Sequence, residues 1–232
     1  MPVVADPRLM VALDYDNADA ARALVAALGD AVSVYKIGLT LLARDGVALA
    51  HALRASGKQV FQDWKLHDIG AQVEGAARSV CEGGCDFLTV HAEPQVMRAA
   101  VRGRGSATTK LLGVTVMTSL TDADLIEMGY GFNTRDLILR RVDQALDCGL
   151  DGVVASPLEA ELIRPRVPAD FLIVTPGVRP ADAAKDDQQR VATPAAALAA
   201  GASHLVIGRP ITAAPDPVAA AQAILTEMAA SH

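Results

Sequence analysis

Short apolar runs alternate with longer Ala- and Leu-rich stretches along the whole chain. β-type runs stand near residues 9–14 (LMVALD), 32–38 (VSVYKIG), 59–65 (QVFQDWK), 86–91 (DFLTVH), 111–118 (LLGVTVMT), 151–156 (DGVVAS), 171–176 (FLIVTP) and 204–208 (HLVIG). Most are continuous rather than alternating, the pattern of parallel strands buried on both faces. Helical segments fall between them, near 17–28, 40–55, 70–82, 94–102, 134–147, 158–164, 192–200 and 215–230. Asp16-Asn17 precedes the first, and Thr193-Pro194 opens the seventh, where a missing N–H costs little. Gly29, Gly57, Gly83-Gly84, Gly149 and Gly201 stand where helices should stop.

Eight strand–helix units in 232 residues average 29 residues each. This predicts an α/β chain folded as one (β/α)8 TIM barrel domain over 1–232, since such barrels run to roughly 250 residues. The rival is an open doubly wound sheet. Against it, the first strand is followed by Asp14-Tyr15-Asp16-Asn17 instead of a G-x-G-x-x-G turn. Two connections are long, Ser119 to Asn133 after strand five and Gly177 to Val191 after strand seven. Both leave the strand C-terminal ends, where barrel enzymes keep their chemistry and their lids. The competing view is that they are surface insertions without consequence.

A barrel interior is filled by branched apolar side chains, so an ionised group there is costly unless paired or functional. This chain places several at strand ends: Asp14 in strand one, Lys36 in strand two, Asp63 and Lys65 in strand three, with Asp68 three residues on. Asp63 and Lys65 are two apart and so share a face. One internal salt bridge would explain that pair alone. With Lys36 and Asp14 on the same rim, an alternating-charge pocket that fixes protonation states explains them better.

A second constellation follows strands seven and eight. Gly208 permits close backbone approach to an anion, and Arg209 adds a charged fork. Arg179 comes from Thr175-Pro176-Gly177-Val178-Arg179-Pro180. These two loops are the usual phosphate position in this fold, against which stands the view of solvated surface arginines. His91 ends strand four, as a substrate contact or a hydrogen-bonded residue behind the site; His67 is expected behind the site or exposed. No H-x-H, H-E-x-x-H or C-x-x-C occurs, which argues against zinc, and Ser119 and Ser156 lack a G-x-S-x-G context.

Composition narrows the class. A hydrophobic content of 51% excludes disorder as the main state. With 21 basic and 27 acidic residues the net charge is −6, which disfavours a nucleic-acid surface. No run of 18 apolar residues suggests a membrane span, and Met1 to Pro7 carries no secretory pattern. Cys81, Cys85 and Cys148 are three, at no metal-type spacing, and fit reduced thiols in a cytoplasmic protein.

Over nearly its whole length the chain resembles the orotidine 5′-phosphate decarboxylase family. The segments that carry the resemblance are, in order, Val11-Ala12-Leu13-Asp14, Lys36-Ile37-Gly38, Asp63-x-Lys65-x-x-Asp68-Ile69, Val114 to Ser119, Thr175 to Pro180 and Ile207-Gly208-Arg209-Pro210. The resemblance implies decarboxylation of orotidine 5′-monophosphate to UMP and CO2, the last step of pyrimidine nucleotide synthesis, without metal or cofactor. It implies a homodimer with shared sites and no nucleic-acid or membrane partner. Lys65 would donate the proton to C6, Asp63 would face the departing carboxylate, and Lys36 would orient Asp63 and touch ribose. Asp68 would reach the partner subunit's site. Asp14 would bind a ribose hydroxyl, and Thr118 and Ser119 the pyrimidine. Arg179, Gly208 and Arg209 would hold phosphate, with Ile69 and Pro176 among the other substrate contacts. Gln188, or Gln189 beside it, would bridge base and phosphate. The chain departs from the family pattern at Gly70-Ala71-Gln72, where Gln72 stands in place of a ribose-contacting Thr, and at Trp64, where Leu or Phe is usual.

Two alternatives stay open. A Mg²⁺-dependent sugar-phosphate decarboxylase or synthase shares D-x-K-x-x-D but needs a Glu ligand where Lys36 stands, and an ammonium cannot ligate a hard cation. A non-catalytic phosphate-ligand-binding barrel would bind UMP without turnover.

Overall fold

The computed structural model describes residues 5–180 and 192–230. Eight strands close into a parallel barrel in sequence order: β1 (Leu9–Ala12), β2 (Val34–Ile37), β3 (Gln59–Leu66), β4 (Phe87–His91), β5 (Lys110–Val114), β6 (Gly152–Val154), β7 (Leu172–Pro176) and β8 (His204–Ile207). β1 pairs with β8 through Leu9–Leu205, Met10–Val206 and Val11–Ile207, which completes the ring.

Around it run α1 (Ala18–Leu28), α2 (Leu39–Leu42), α3 (Gly46–Ala55), α4 (Gly70–Glu82), α5 (Pro94–Arg104), α6 (Asp122–Glu127), α7 (Thr134–Cys148), α8 (Pro157–Ile163), α9 (Pro194–Ala199), α10 (Arg209–Thr212) and α11 (Pro217–Ala229). Asn17, Thr193 and Asp216 accept backbone N–H bonds from the first turns of α1, α9 and α11, satisfying donors that a helix start leaves over. Gly29, Gly57, Gly149 and Gly201 all take positive φ, as their places after helices suggest.

Three differences from the sequence expectation have local causes. The segment 40–55 is two helices, because the chain turns at Ala43-Arg44-Asp45 and α3 restarts hard against α2. A Cβ at Gly46 would lie 2.8 Å from the Leu41 carbonyl. The run 111–118 leaves the sheet after Val114, where its pairing to both neighbours ends. The long connection that follows holds α6, started by a reciprocal Thr121–Asp124 capping box.

Side-chain alternation divides the core. Tyr35, Ile37, Val11 and Leu13 face outward onto α1, α3 and α11, and Leu88, Val90, Leu111 and Val153 face outward onto α4, α5 and α7. Met10, Ala12, Val34, Phe61, Phe87, Leu112, Val174 and Val206 face inward and plug the barrel. Phe87 stacks edge-on against Phe61 at 6.0 Å and against His204 at 5.6 Å. Burial pushes the His204 imidazole down to about 4, so it is neutral at pH 7 inside this plug. Above the plug the next inward positions are Asp14, Lys36, Asp63, Thr89, Pro176 and Gly208, and the fold thus delivers polar side chains from the four strands β1 to β4 to one end.

α4, which carries the segment after Asp68, is held tightly to α5. A Cβ at Gly103 would lie 2.3 Å from the Glu74 carbonyl oxygen and 3.0 Å from Ala77 Cβ. Gly103→Ala should therefore destabilise by about 1–3 kcal/mol, even after the ~1 kcal/mol gained in helix propensity. A thermal melt of this variant at or above the wild-type midpoint would contradict the close crossing.

Candidate active site

The C-terminal mouth of the barrel opens into a cavity of about 350 Å³. One wall is charged: Asp14, Lys36, Asp63 and Lys65. Pro176, Gly177, Arg179, Gly208 and Arg209 also line the cavity, and Gly208 is beside Asp14, where a Cβ would lie 3.6 Å from Asp14 Oδ2. Thr118 and Ser119 reach it from the segment after β5. The floor and remaining walls are apolar: Ala12, Phe61, Val114, Val116, Met117, Val154, Val178 and Val206. Loops from β5, β7 and β8 thus meet the charged ends of β1, β2 and β3 over one space.

The charged wall is a continuous chain of contacts. Lys36 Nζ donates to Asp14 Oδ1 at 3.1 Å and lies 3.4 Å from Asp63 Oδ2. Lys65 Nζ donates to Asp63 Oδ1 at 2.9 Å. The Thr89 hydroxyl donates to the same Oδ1 at 3.0 Å. Lys36 is buried and Asp63 nearly so, with 9% and 14% of their side chains exposed, whereas Asp14 opens to solvent at 61%. Burial alone would raise the Asp63 pKa; the Lys36 and Lys65 ammoniums and the Lys65 and Thr89 hydrogen bonds overcome it and hold the carboxyl below the usual range. Asp63 is the shared counter-ion of two lysines in a place with little water.

Lys65 reaches this position through a distorted strand, not a regular pleat. The β3–β4 register breaks between Gln62–Leu88 and Leu66–Val90, so three residues of β3 face one of β4. Lys65 lies in the bulge at φ +49°, a left-handed conformation that non-glycine residues seldom adopt. Asp63 and Lys65 do line one cavity, but the bulge contributes to that arrangement beyond their spacing of two.

Of the other residues singled out in the sequence, Asp68, Ile69 and Gln72 are exposed and outside this cavity. Asp68 Oδ1 accepts the Ile69 N–H at 2.6 Å, at the entry to α4. Gln188 and Gln189 lie outside the described residues. Arg179 is buried, and its N–H donates to the Ala192 carbonyl at 3.0 Å, joining the chain on either side of residues 181–191. His67 and His91 stack at 4.6 Å, and His67 meets Glu93 at 3.1 Å, beside a separate cavity under α6. Neither histidine lines the main cavity. Among the described residues no His, Cys, Asp and Glu side chains gather as a metal-binding group, and no helix is long and apolar enough to cross a membrane.

Sequence reasoning missed the apolar floor and Thr89. The floor was legible as inward-facing positions of the strands. Thr89 is a hydroxyl at an inward position of an otherwise apolar run, which is a weak signal because Thr is a common strand residue.

The family model described as orotidine 5′-phosphate decarboxylase / HUMPS family matches residues 7–224. Orotidine 5′-phosphate decarboxylase of Caulobacter vibrioides (strain NA1000 / CB15N) is 64% identical over 231 residues, 98% of this chain and 99% of that protein. The Methylorubrum extorquens (strain PA1) protein of the same name is 54% identical over 98% of this chain and 99% of its own length. Among solved structures, the crystal structure of orotidine 5′-phosphate decarboxylase from Lactobacillus acidophilus superposes with a TM-score of 0.84 at 36% identity, covering 96% of this chain and 99% of that one.

The stability contribution of Asp63 has a definite pH window. Its folded pKa lies below the unfolded value, so the ionised carboxylate stabilises the fold above about pH 4, and that contribution is lost as pH falls through the folded value. Asp63→Asn should be less stable than wild type at neutral pH, with the gap narrowing below about pH 4. Denaturant titrations across that range should find the gap pH-dependent; a constant gap would contradict the ionised assignment.

Proposed function

The chain belongs to the orotidine 5′-phosphate decarboxylase / HUMPS family, and from that premise we propose that this carboxy-lyase converts orotidine 5′-monophosphate to UMP and CO2 without metal or cofactor. The observation that carries the proposal is the Lys36–Asp63–Lys65 chain, with contacts of 3.4 and 2.9 Å, lining one cavity together with Arg179 and Arg209.

In this mechanism the bond from C6 to the carboxylate carbon breaks, CO2 leaves, and the electron pair stays at C6 in an orbital that no adjacent carbonyl delocalises. The Lys65 ammonium stabilises that pair and gives C6 its proton, which solvent later restores to Nζ. Fixed charge in a site that excludes water is commonly the largest catalytic effect. Asp63 holds Lys65 in place and meets the substrate carboxylate. Two anions about 4 Å apart repel by roughly 4 kcal/mol at an effective dielectric of ~20, which assists only as far as it is relieved in the transition state.

Lys36 and Asp14 bind ribose hydroxyls, Thr118 and Ser119 meet the pyrimidine, and Pro176 packs near them. Arg179, Gly208 and Arg209 take the phosphate, whose binding energy closes the site. Gln188 or Gln189 bridges base and phosphate. Asp68, Ile69 and Gln72 serve the partner subunit's site in a homodimer. What supports that last assignment is their exposure outside their own chain's cavity, Ile69 being 64% exposed. The chain acts as one catalytic domain in the cytoplasm, with no nucleic-acid or membrane partner. Against the Mg²⁺-dependent alternative, both Asp63 oxygens already face hydrogen-bond donors or ammoniums, and Lys36 offers no oxygen ligand.

Turnover of orotidine 5′-monophosphate, followed by its ultraviolet change, should persist in excess EDTA; complete loss restored by Mg²⁺ would favour the alternative. Lys65→Ala should lower kcat by at least about 10³-fold while UMP still binds. Unchanged turnover would remove Lys65 from its role, and UMP binding without any wild-type turnover would make the barrel a binding protein. Mixing Asp68→Ala chains with Lys65→Ala chains should restore about a quarter of the wild-type sites, since half of random dimers are mixed and each holds one intact site. Activity no higher than that of either variant alone would refute the shared site.

A further inference from the structure

We propose that Thr89 is a positioning residue for the reaction, its one hydroxyl locking the β3 bulge so that Asp63 and Lys65 keep a fixed relation. The inference rests on the decarboxylase reading of the site. Thr89 does not line the cavity and is fully buried behind it. It is the β4 residue that faces the three β3 residues Asp63, Trp64 and Lys65, between the last regular rung at Gln62–Leu88 and the next at Leu66–Val90.

A bulge of this kind costs the strand its normal partners, and buried N–H groups need an acceptor. Here a side chain supplies what the backbone ladder cannot. Thr89 Oγ1 accepts the Lys65 N–H at 2.9 Å and donates its own proton to Asp63 Oδ1 at 3.0 Å. The direction of each bond is forced. An amide only donates and an ionised carboxylate only accepts, so the single hydroxyl proton must point at Asp63.

One oxygen atom therefore fixes both halves of the ion pair. It holds the Lys65 backbone at φ +49°, which is strained without outside support, and it fixes the rotation of the carboxylate that grips Lys65 Nζ. Small misplacement of a reacting group is costly in rate, so a residue that touches neither substrate nor solvent controls the chemical step through geometry.

Thr89→Val keeps shape and removes the hydroxyl; Thr89→Ser keeps the hydroxyl and removes the methyl. In Thr89→Val, kcat should fall about 10–100-fold with KM changed by less than about threefold, the size expected for losing bonds to a charged group. Thr89→Ser should stay within about threefold of wild type. Hydrogen exchange of the Lys65 amide provides a readout that needs no substrate. It should be protected in wild type and Thr89→Ser, and at least about tenfold faster in Thr89→Val, while β5 amides keep their protection. If Thr89→Val does not fold, Thr89→Ala is the second hydroxyl-free variant and is held to the same outcomes.

Equal kcat in wild type and the hydroxyl-free variant, an equal fall in Thr89→Ser, or an unprotected Lys65 amide in wild type would each overturn the proposal. Absence of wild-type turnover would instead count against the decarboxylase reading, leaving the amide exchange to decide the clamp.

Discussion

Everything at the mouth of this barrel depends on one carboxylate shared by two ammoniums. Asp63 lies 2.9 Å from Lys65 Nζ and 3.4 Å from Lys36 Nζ, with little water around it. Each lysine needs a counter-ion at that depth, and each stabilises the carboxylate against burial. Removing Asp63 would leave two like charges close together, and removing either lysine would leave the carboxylate less compensated. The three groups form a unit. Asp14, at the solvent side, extends the alternation by one more charge.

The barrel makes this unit possible by separating its two ends. At one end Phe61, Phe87 and the neutral His204 pack with aliphatic residues into a plug. At the other, the same inward alternation that set Ala12, Val34 and Phe61 in the plug presents Asp14, Lys36 and Asp63 one step higher. Phe61 belongs to both, as a plug residue and as part of the cavity floor. An apolar floor beneath charged walls lowers local water content, which strengthens every fixed charge acting on a bound anion.

The eight strands, their order and the charged rim were legible because period-two alternation and strand-end position are written directly in the residue types. So were Arg179 and Arg209, which enter from the two loops that most often meet phosphate in this fold. The bulge was not legible. Residues 59–65 read as an unbroken strand, and nothing in Asp63-Trp64-Lys65 marks two extra residues or a left-handed lysine. Thr89 was hidden for the same reason: its function exists only once β3 and β4 fall out of register beside it. The division of 40–55 into α2 and α3 followed from a backbone contact at Gly46, and α6 from a capping box within a connection read only as long. Asp68, Ile69 and Gln72 mark the limit of a single chain, since they are exposed outside its own cavity and one chain alone gives them no place in the site.

A crystal structure with UMP bound tests the central claim most directly. The account predicts Lys65 Nζ within about 3.5 Å of the pyrimidine C6, the separation expected of reacting atoms, with the phosphate between Arg179 and Arg209. Nucleotide bound with Nζ turned away from C6, or with the phosphate seated elsewhere, would contradict it.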